Sequence, residues 1–376
     1  MPSLPPTGLF VTRVWRPGIG PALALHRDGD LIDITSSATP TMRDLLERDD
    51  LPHFLAGVQG PLIAPLADLD RHEPAPDSLH LLSPADLQAI KACGVTFARS
   101  MIERVIEERA AGDASRAAAI RTRVAAVIGD SLRNLRPGSP EAAEVKRLLQ
   151  AEGLWSQYLE VGIGPDAEVF TKAPPMASVG HGASVGLHPI SKWNNPEPEV
   201  VLAVDSRARV KGVSLGNDVN LRDVEGRSAL LLGKAKDNNA AAAIGPFIRV
   251  FDEGFGIADV RQIELTLTVT GTDGFTLTGR SSMAEISRDP LDLVAQTTSA
   301  HHYPDGFMLY CGTMFAPVQD RDGPGQGFTH HLGDRVTIAT PALGALTNTV
   351  RLATEAPPWT FGTAALMRNL AGRGLL

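Results

Sequence analysis

Cysteine is nearly absent, with Cys93 and Cys311 the only two in 376 residues. That scarcity excludes a disulfide framework and a cysteine-based zinc site, and it points to a reducing compartment, the cytoplasm. Basic residues are in the minority, 35 Lys and Arg against 43 Asp and Glu for a formal charge of −8. The chain therefore lacks the basic face that a nucleic acid or an anionic membrane requires. No apolar run approaches the roughly 20 residues of a membrane span, and Met1-Pro2-Ser3-Leu4-Pro5-Pro6 has neither the basic nor the apolar region of a signal peptide. Nucleotide fingerprints are missing too: Gly162-Ile163-Gly164-Pro165 and Gly180-His181-Gly182 lack the strand, the glycine spacing and the helix start. What remains is an ordinary globular composition, 43% hydrophobic and 21% charged, suited to a small-molecule partner.

Short strands with turn signals open the chain at Leu9–Thr12, Pro21–Leu25 and Leu31–Ile34, and a short helix after Thr39-Pro40 carries Met42, Leu45 and Leu46 on one face. A Pro- and Asp-rich linker over 72–84 divides an N-terminal α/β domain, 1–82, from the larger remainder, 83–376. Within that remainder 84–159 reads as helical, rich in Ala, Arg, Glu and Leu and broken at Arg136-Pro137-Gly138-Ser139-Pro140, and the rest reads as predominantly β. The fold class is α+β, built around a curved mixed sheet.

Three carboxylates stand where apolar residues are expected. Glu197 and Glu199 enter the run Val200-Val201-Leu202-Ala203-Val204, and Asp218 follows on the next strand in Gly216-Asn217-Asp218-Val219. Residues two apart on a strand share a face, and a hairpin turning at Asp205-Ser206-Arg207 brings all three together. Carboxylates clustered beside a core repel one another unless a hard cation neutralises them, and oxygen-only ligands suit Mg, Mn or Ca. By itself Glu-x-Glu is equally at home on a solvated strand face. Pro196 and Pro198 restrict the stretch to an edge or a strand start, which is where a site opens. The pairs His301-His302 and His330-His331 lack a helical i,i+4 partner and read as structural or surface residues.

Five ordered blocks carry a more specific signal: Val169-Phe170-Thr171-Lys172-Ala173-Pro174, the Glu197 to Val204 run, Gly216 to Asp223, Lys236, and Cys311-Gly312-Thr313, with closing segments at 327–336 and 343–350. Over about 168–352 the chain resembles the fumarylacetoacetate hydrolase family. The resemblance implies a β-roll catalytic domain, a Mg or Mn ion held by Glu197, Glu199 and Asp218, 2-oxo acid or 1,3-dicarbonyl substrates, and a homodimer. It also implies Lys236 rather than Lys234 as the active-site lysine, and Thr313 as a contact for the substrate carboxylate.

Two departures bear on the reaction. The hydrolases of the family keep a His and a Glu in a lid pattern, whereas Gly94-Val95-Thr96-Phe97-Ala98-Arg99-Ser100-Met101-Ile102-Glu103 matches the glutamate at Glu103 and puts Ser100 in place of the histidine. The base for a hydrolytic water is then missing. Three residues after Arg222, a glutamine of the hydrolases is replaced by Glu225, whose charge opposes an oxyanion. A branch of the family with long N-terminal regions dehydrates 2-keto-3-deoxy sugar acids, and this chain resembles it. The implied reaction is Mg-dependent dehydration of a 2-keto-3-deoxy-pentonate to 2-oxoglutarate semialdehyde, an intermediate of pentose breakdown. Lys236 and Glu103 are then acid and base in either order, with Arg99, Ser100, Thr313 and Arg222 near the substrate. Alternatives are an acylpyruvate-type hydrolase, an oxaloacetate decarboxylase, and a binding protein whose ion only ties the sheet together. Glu103 also fits a solvated helix face with Glu107 and Glu108, and Arg222 with Asp223 fits a structural ion pair equally well.

Overall fold

The structure, a computed structural model, describes residues 4–69, 74–111, 113–117, 119–120, 135–151, 153 and 155–376, and of residues 98–100 only the backbone. Its strands are β1 (Leu9–Arg16), β2 (Gly20–Arg27), β3 (Asp30–Asp33), β4 (Leu62–Pro65), β5 (His80–Leu82), β6 (Ala89–Cys93), β7 (Val169–Ala173), β8 (Ser184–Leu187), β9 (Pro198–Val204), β10 (Val210–Asp218), β11 (Ala242–Val250), β12 (Glu264–Thr270), β13 (Thr276–Ser282), β14 (Phe307–Tyr310), β15 (Arg335–Thr340) and β16 (Gly344–Leu352). They form two sheets. Eleven strands run in the order β4-β3-β2-β1-β11-β10-β9-β14-β6-β7, with β5 attached to β1, and five run β13-β12-β15-β16-β8. Pairings are antiparallel except β14 with β6 and β16 with β8, so the expected mixed-sheet α+β fold holds.

The helices that matter below are α1 (Met42–Glu47), α2 (Leu51–Gly57), α3 (Ala98–Ala110), α4 (Pro140–Ala151), α5 (Gln157–Ile163), α6 (Arg222–Glu225) and α7 (Leu232–Lys236). β9 is covered on both faces, which explains its unbroken apolar run. Val200, Leu202 and Val204 join the core shared with Leu265, Leu267, Ile338 and Leu346 of the small sheet. Val201 and Ala203 pack on the opposite side with Met42, Leu45 and Leu46 of α1 and Leu51 and Leu55 of α2. The prolines do not mark an edge: Pro198 is the first residue of a strand flanked by β10 and β14.

The helical reading from Pro84 onward needs correction. Residues 89–93 instead form β6 between β14 and β7, where Ile90, Ala92 and Cys93 are buried, and the helix begins only at Ala98. Tertiary pairing overrides the local preference of an Ala- and Leu-rich segment. The segment 1–82 contributes β1 to β5 to the large sheet, with β1 paired directly to β11. α3, α4 and α5 gather around their own apolar cluster of Met101, Val105, Ile106, Leu149, Tyr158, Leu159 and Ile163.

Candidate active site

Glu197 immediately precedes β9, Glu199 is its second residue, and Asp218 ends β10, its N–H donating 3.0 Å to the Glu197 carbonyl. Alternation continues the row of Val201 and Ala203 outward through Glu199 to Glu197, so the acidic residues begin where the apolar packing of that row ends. One carboxylate oxygen from each lies within 4.8 Å of the others, and all three side chains are buried.

Fixed partners hold the group in place. The Gly312 N–H donates 2.7 Å to Glu199 Oε2, and the Thr313 hydroxyl lies 3.4 Å from Glu199 Oε1. Gly312 has φ +103°, and a Cβ there would stand 2.0 Å from Thr96 Oγ1, so glycine alone delivers that N–H. Lys236, at the end of α7, donates to Glu197 and lies 3.2 Å from Asp218 Oδ2. Lys172, fully buried on β7, sits 2.7 Å from Asp218 Oδ1 and also donates to the carbonyls of Val219 and Lys236.

A small cavity of about 10 Å³ lies beside this group, lined by Gly94, Arg104, Glu168, Phe170, Glu197, Asp218, Glu225, Lys236 and Thr313 among others, with no histidine among the described residues. A larger cleft over the N-terminal strands, lined by Leu9, Leu25, His26, Leu55 and Leu66, shares no residue with it and has no carboxylate cluster. Arg104 extends from α3 to the Glu197 carboxylate, with Glu107 Oε2 at 2.6 Å and Glu225 Oε2 at 3.0 Å.

The electrostatics follow from burial and from these neighbours. Burial opposes the charge on Glu197, but Arg104 and Lys236 outweigh it and hold the carboxyl down at about 2. Glu199 goes the other way: burial, then the Asp218 and Glu197 carboxylates, push it well above the ordinary carboxylate range. Burial works against the Lys236 ammonium too, yet Asp218 and Glu197 prevail and its pKa is raised. A lysine of depressed pKa, as a base requires, is thus not what these neighbours produce. Burial, reinforced by Glu225, lifts Glu168 to about 7.

Divalent-metal chemistry fits this donor set. Around the site Glu107, Glu168, Glu197, Glu199, Asp218 and Glu225 face Arg104, Lys172, Arg222 and Lys236, six acidic groups against four cations. Among the described residues the acidic groups outnumber the cations, and three all-oxygen donors suit Mg or Mn.

The residues singled out in the sequence fall into three groups. Glu197, Glu199, Asp218, Lys236 and Thr313 come together, and Lys234 is exposed. Arg222 is buried behind the cavity wall, its Nε 3.1 Å from Glu107 Oε1 and its guanidinium over the Trp193 ring. Glu103 is half-buried on α3 and does not line the cavity, and the side chains of Arg99 and Ser100 lie outside the described residues. Arg104, Glu107 and Glu168 were not anticipated as site residues. Their signal was available: Arg104 and Glu107 are one turn apart and flank the apolar pair Val105-Ile106, and Glu168, like Glu197, stands just before an apolar strand.

Similarity to known proteins agrees with this geometry. A relative from Haloferax volcanii, described as a probable 2-keto-3-deoxyxylonate dehydratase, is 28% identical over 193 residues, 51% of this chain and 63% of its own length. A 2-dehydro-3-deoxy-D-arabinonate dehydratase from Saccharolobus solfataricus is 29% identical over 154 residues, 41% of this chain and 51% of its own. This chain thus spans between half and two thirds of the relatives it matches. Among solved structures, 2-keto-3-deoxy-D-arabinonate dehydratase superposes with a TM-score of 0.64 in its apo form and 0.63 in complex with magnesium and 2,5-dioxopentanoate. Identities are 20% and 19%, and the match covers 91% of this chain and 99% of the other in each case. That likeness is one of fold. Residues 160–351, just over half of the chain, match the family described as Fumarylacetoacetate (FAA) hydrolase C-terminal, and with the acidic triad at the mouth of β9 and β10 inside that span, this chain belongs to the fumarylacetoacetate hydrolase family.

Proposed function

We propose that this chain is a Mg- or Mn-dependent hydro-lyase that dehydrates a 2-keto-3-deoxy sugar acid, a 2-keto-3-deoxy-pentonate, to 2-oxoglutarate semialdehyde. The observation that carries the reading is the pairing of Glu168, its carboxyl near 7, with the Lys236 ammonium across one cavity beside the acidic triad. The dehydratase names of both relatives, and a structural neighbour holding magnesium and 2,5-dioxopentanoate, support it.

A dication bound by Glu197, Glu199 and Asp218 would supply Lewis acidity toward the carboxylate and keto oxygens of a 2-oxo acid, which acidifies its C3 protons. The chain's own groups do the rest. Glu168, as carboxylate, takes a C3 proton; a carboxyl poised near the working pH is well matched to that task. Lys236, held as ammonium, gives a proton to the C4 hydroxyl as the C4–O bond breaks and water leaves, and the 5-hydroxy-2-oxo-3-enoic product tautomerises to the semialdehyde by moving a C5 proton to C3 and turning the resulting enol into the aldehyde. The Thr313 hydroxyl and the Gly312 loop orient the substrate carboxylate. Glu103 was the sequence candidate for the carboxyl partner of Lys236, and the cavity lining favours Glu168 for that part.

Hydrolysis of an acylpyruvate would need a base for water, and among the described residues no histidine lines the cavity. Incubation with 2-keto-3-deoxy-xylonate and Mg should release the semialdehyde with loss of one water. Cleavage of acylpyruvates without that product would overturn the reading. Two buried free cysteines support a cytoplasmic setting. The apolar cluster of Phe10, Val14, Ala24, Leu31 and Leu81 supports 1–82 as a domain, joined to 83–376 through Phe247 of β11. A homodimer is carried over from the family and is tested by light scattering on the purified protein.

A further inference from the structure

We infer that Arg104 and Glu225 form the subsite for the hydroxylated end of the substrate, so that the cavity selects polyhydroxy 2-oxo acids over acids of the same length with an alkyl tail. The inference rests on the dehydratase reading and goes beyond it by naming the residues that choose the substrate.

Both side chains line the cavity and both are buried, at 7% and 4% exposure. Neither belongs to the acidic triad. Arg104 Nη1 is 3.0 Å from Glu225 Oε2, yet not in hydrogen-bond geometry, so that buried oxygen has no donor. Glu107 accepts from the same Nη1 at 2.6 Å and fixes the guanidinium. The pair therefore presents a charged donor and a free acceptor next to each other. A hydroxyl group needs that combination, because it donates one hydrogen bond and accepts others. An alkyl tail would leave the buried Glu225 oxygen without a donor, which is the costly case. One of the two departures from the hydrolase pattern, the one at Glu225, then has an explanation. Glu225 in place of glutamine supplies the acceptor, and Arg104 balances its charge.

The test compares 2-keto-3-deoxy-pentonate with 4-hydroxy-2-oxopentanoate, which keeps the C4 leaving group and replaces the C5 hydroxymethyl with methyl. Sites built to bind a hydroxyl reject analogues lacking it by large factors, so the Mg-loaded wild-type enzyme should favour the pentonate by about 100-fold or more in kcat/KM. In Glu225→Gln that ratio should fall by about ten-fold or more, since the amide offers a weaker, neutral acceptor. Arg104→Lys should lower it as well, because the fixed fork is lost. Glu225→Gln is the cleaner of the two, as Arg104 also touches Glu197. Where a variant is inactive, calorimetric titration with the two acids reads the same ratio in Kd. A merely structural role would lower activity toward both acids equally. A wild-type enzyme that dehydrates the two acids alike, or a ratio unchanged in both variants, overturns the inference and leaves the dehydratase reading standing. A wild-type enzyme that dehydrates neither acid overturns both.

Discussion

At Gly94 a single methyl group would be enough to unseat a carboxylate. An added Cβ would stand 1.9 Å from Glu168 Oε2, so the glycine keeps open the space in which Glu168 faces the cavity. Gly94→Ala should fold, since the clash is with a side chain that can rotate away, and should lower kcat by about ten- to a hundred-fold through displacement of a positioned proton-transfer group. Steady-state kinetics with a melting curve checks both halves. Glu168 itself sets the pH dependence. Its carboxyl, near 7 in the folded protein, must be ionised to act as base, so kcat/KM should rise with pH and level off above about 7. Glu168→Gln should lose about 100-fold or more in rate, and its residual activity should lack that acidic limb. Stability moves the opposite way: a carboxyl whose folded pKa is raised opposes folding increasingly as pH climbs from its unfolded value toward 7. Glu168→Gln should therefore melt higher than wild type at pH 8, with the gain shrinking toward pH 4. A variant that melts lower than wild type at pH 8 would contradict the buried-carboxyl account.

α3 shows how one helix serves both packing and chemistry. Met101, Val105, Ile106 and Ala110 bury its apolar side against α5, while Arg104 and Glu107, one turn apart, face the carboxylates. Ile106→Ala should remove about 2–4 kcal/mol of stability by leaving a cavity in that cluster, measured by urea unfolding. The same helix marks how far the sequence could be read. The acidic residues at Glu197, Glu199 and Asp218 were legible because charges interrupt a strand of period two, and a two-residue period admits no error of phase. On a helix the pattern match placed Glu103 in the site, and only the packing of Val105 and Ile106 against α5 shows that the stripe containing Arg104 and Glu107 is turned inward. Glu168 was missed for a different reason. It lies just before β7, and its partner Gly94 directly follows β6, in a segment read as helical, so only the β6–β7 pairing brings the two together.

Over the whole molecule, the site is where an excess of carboxylates is gathered in one buried cluster. Arg321 with Asp334 and Arg209 with Asp205 are matched locally. Among the described residues the six acidic groups around the cavity outnumber their four cations, and Glu199 pays for it in a carboxyl pushed well above its ordinary range. A ligand that binds only the folded state stabilises it in proportion to the logarithm of its concentration over Kd, about 2.7 kcal/mol at 100 times Kd. Mg or Mn should therefore raise the melting temperature of the purified protein, and a chelator should reverse the gain. Glu199→Gln separates an ion that serves the reaction from one that merely ties β9 to β10. The amide is a poor ligand for a hard cation, so the metal-dependent shift should shrink or vanish along with turnover. The metal-free variant should melt no lower than metal-free wild type, because one of three mutually repelling carboxylates is gone. A metal-free Glu199→Gln protein that has lost several kilocalories of stability would instead show that the carboxylate is needed to build the sheet, and the imbalance would then be a structural feature rather than a binding site.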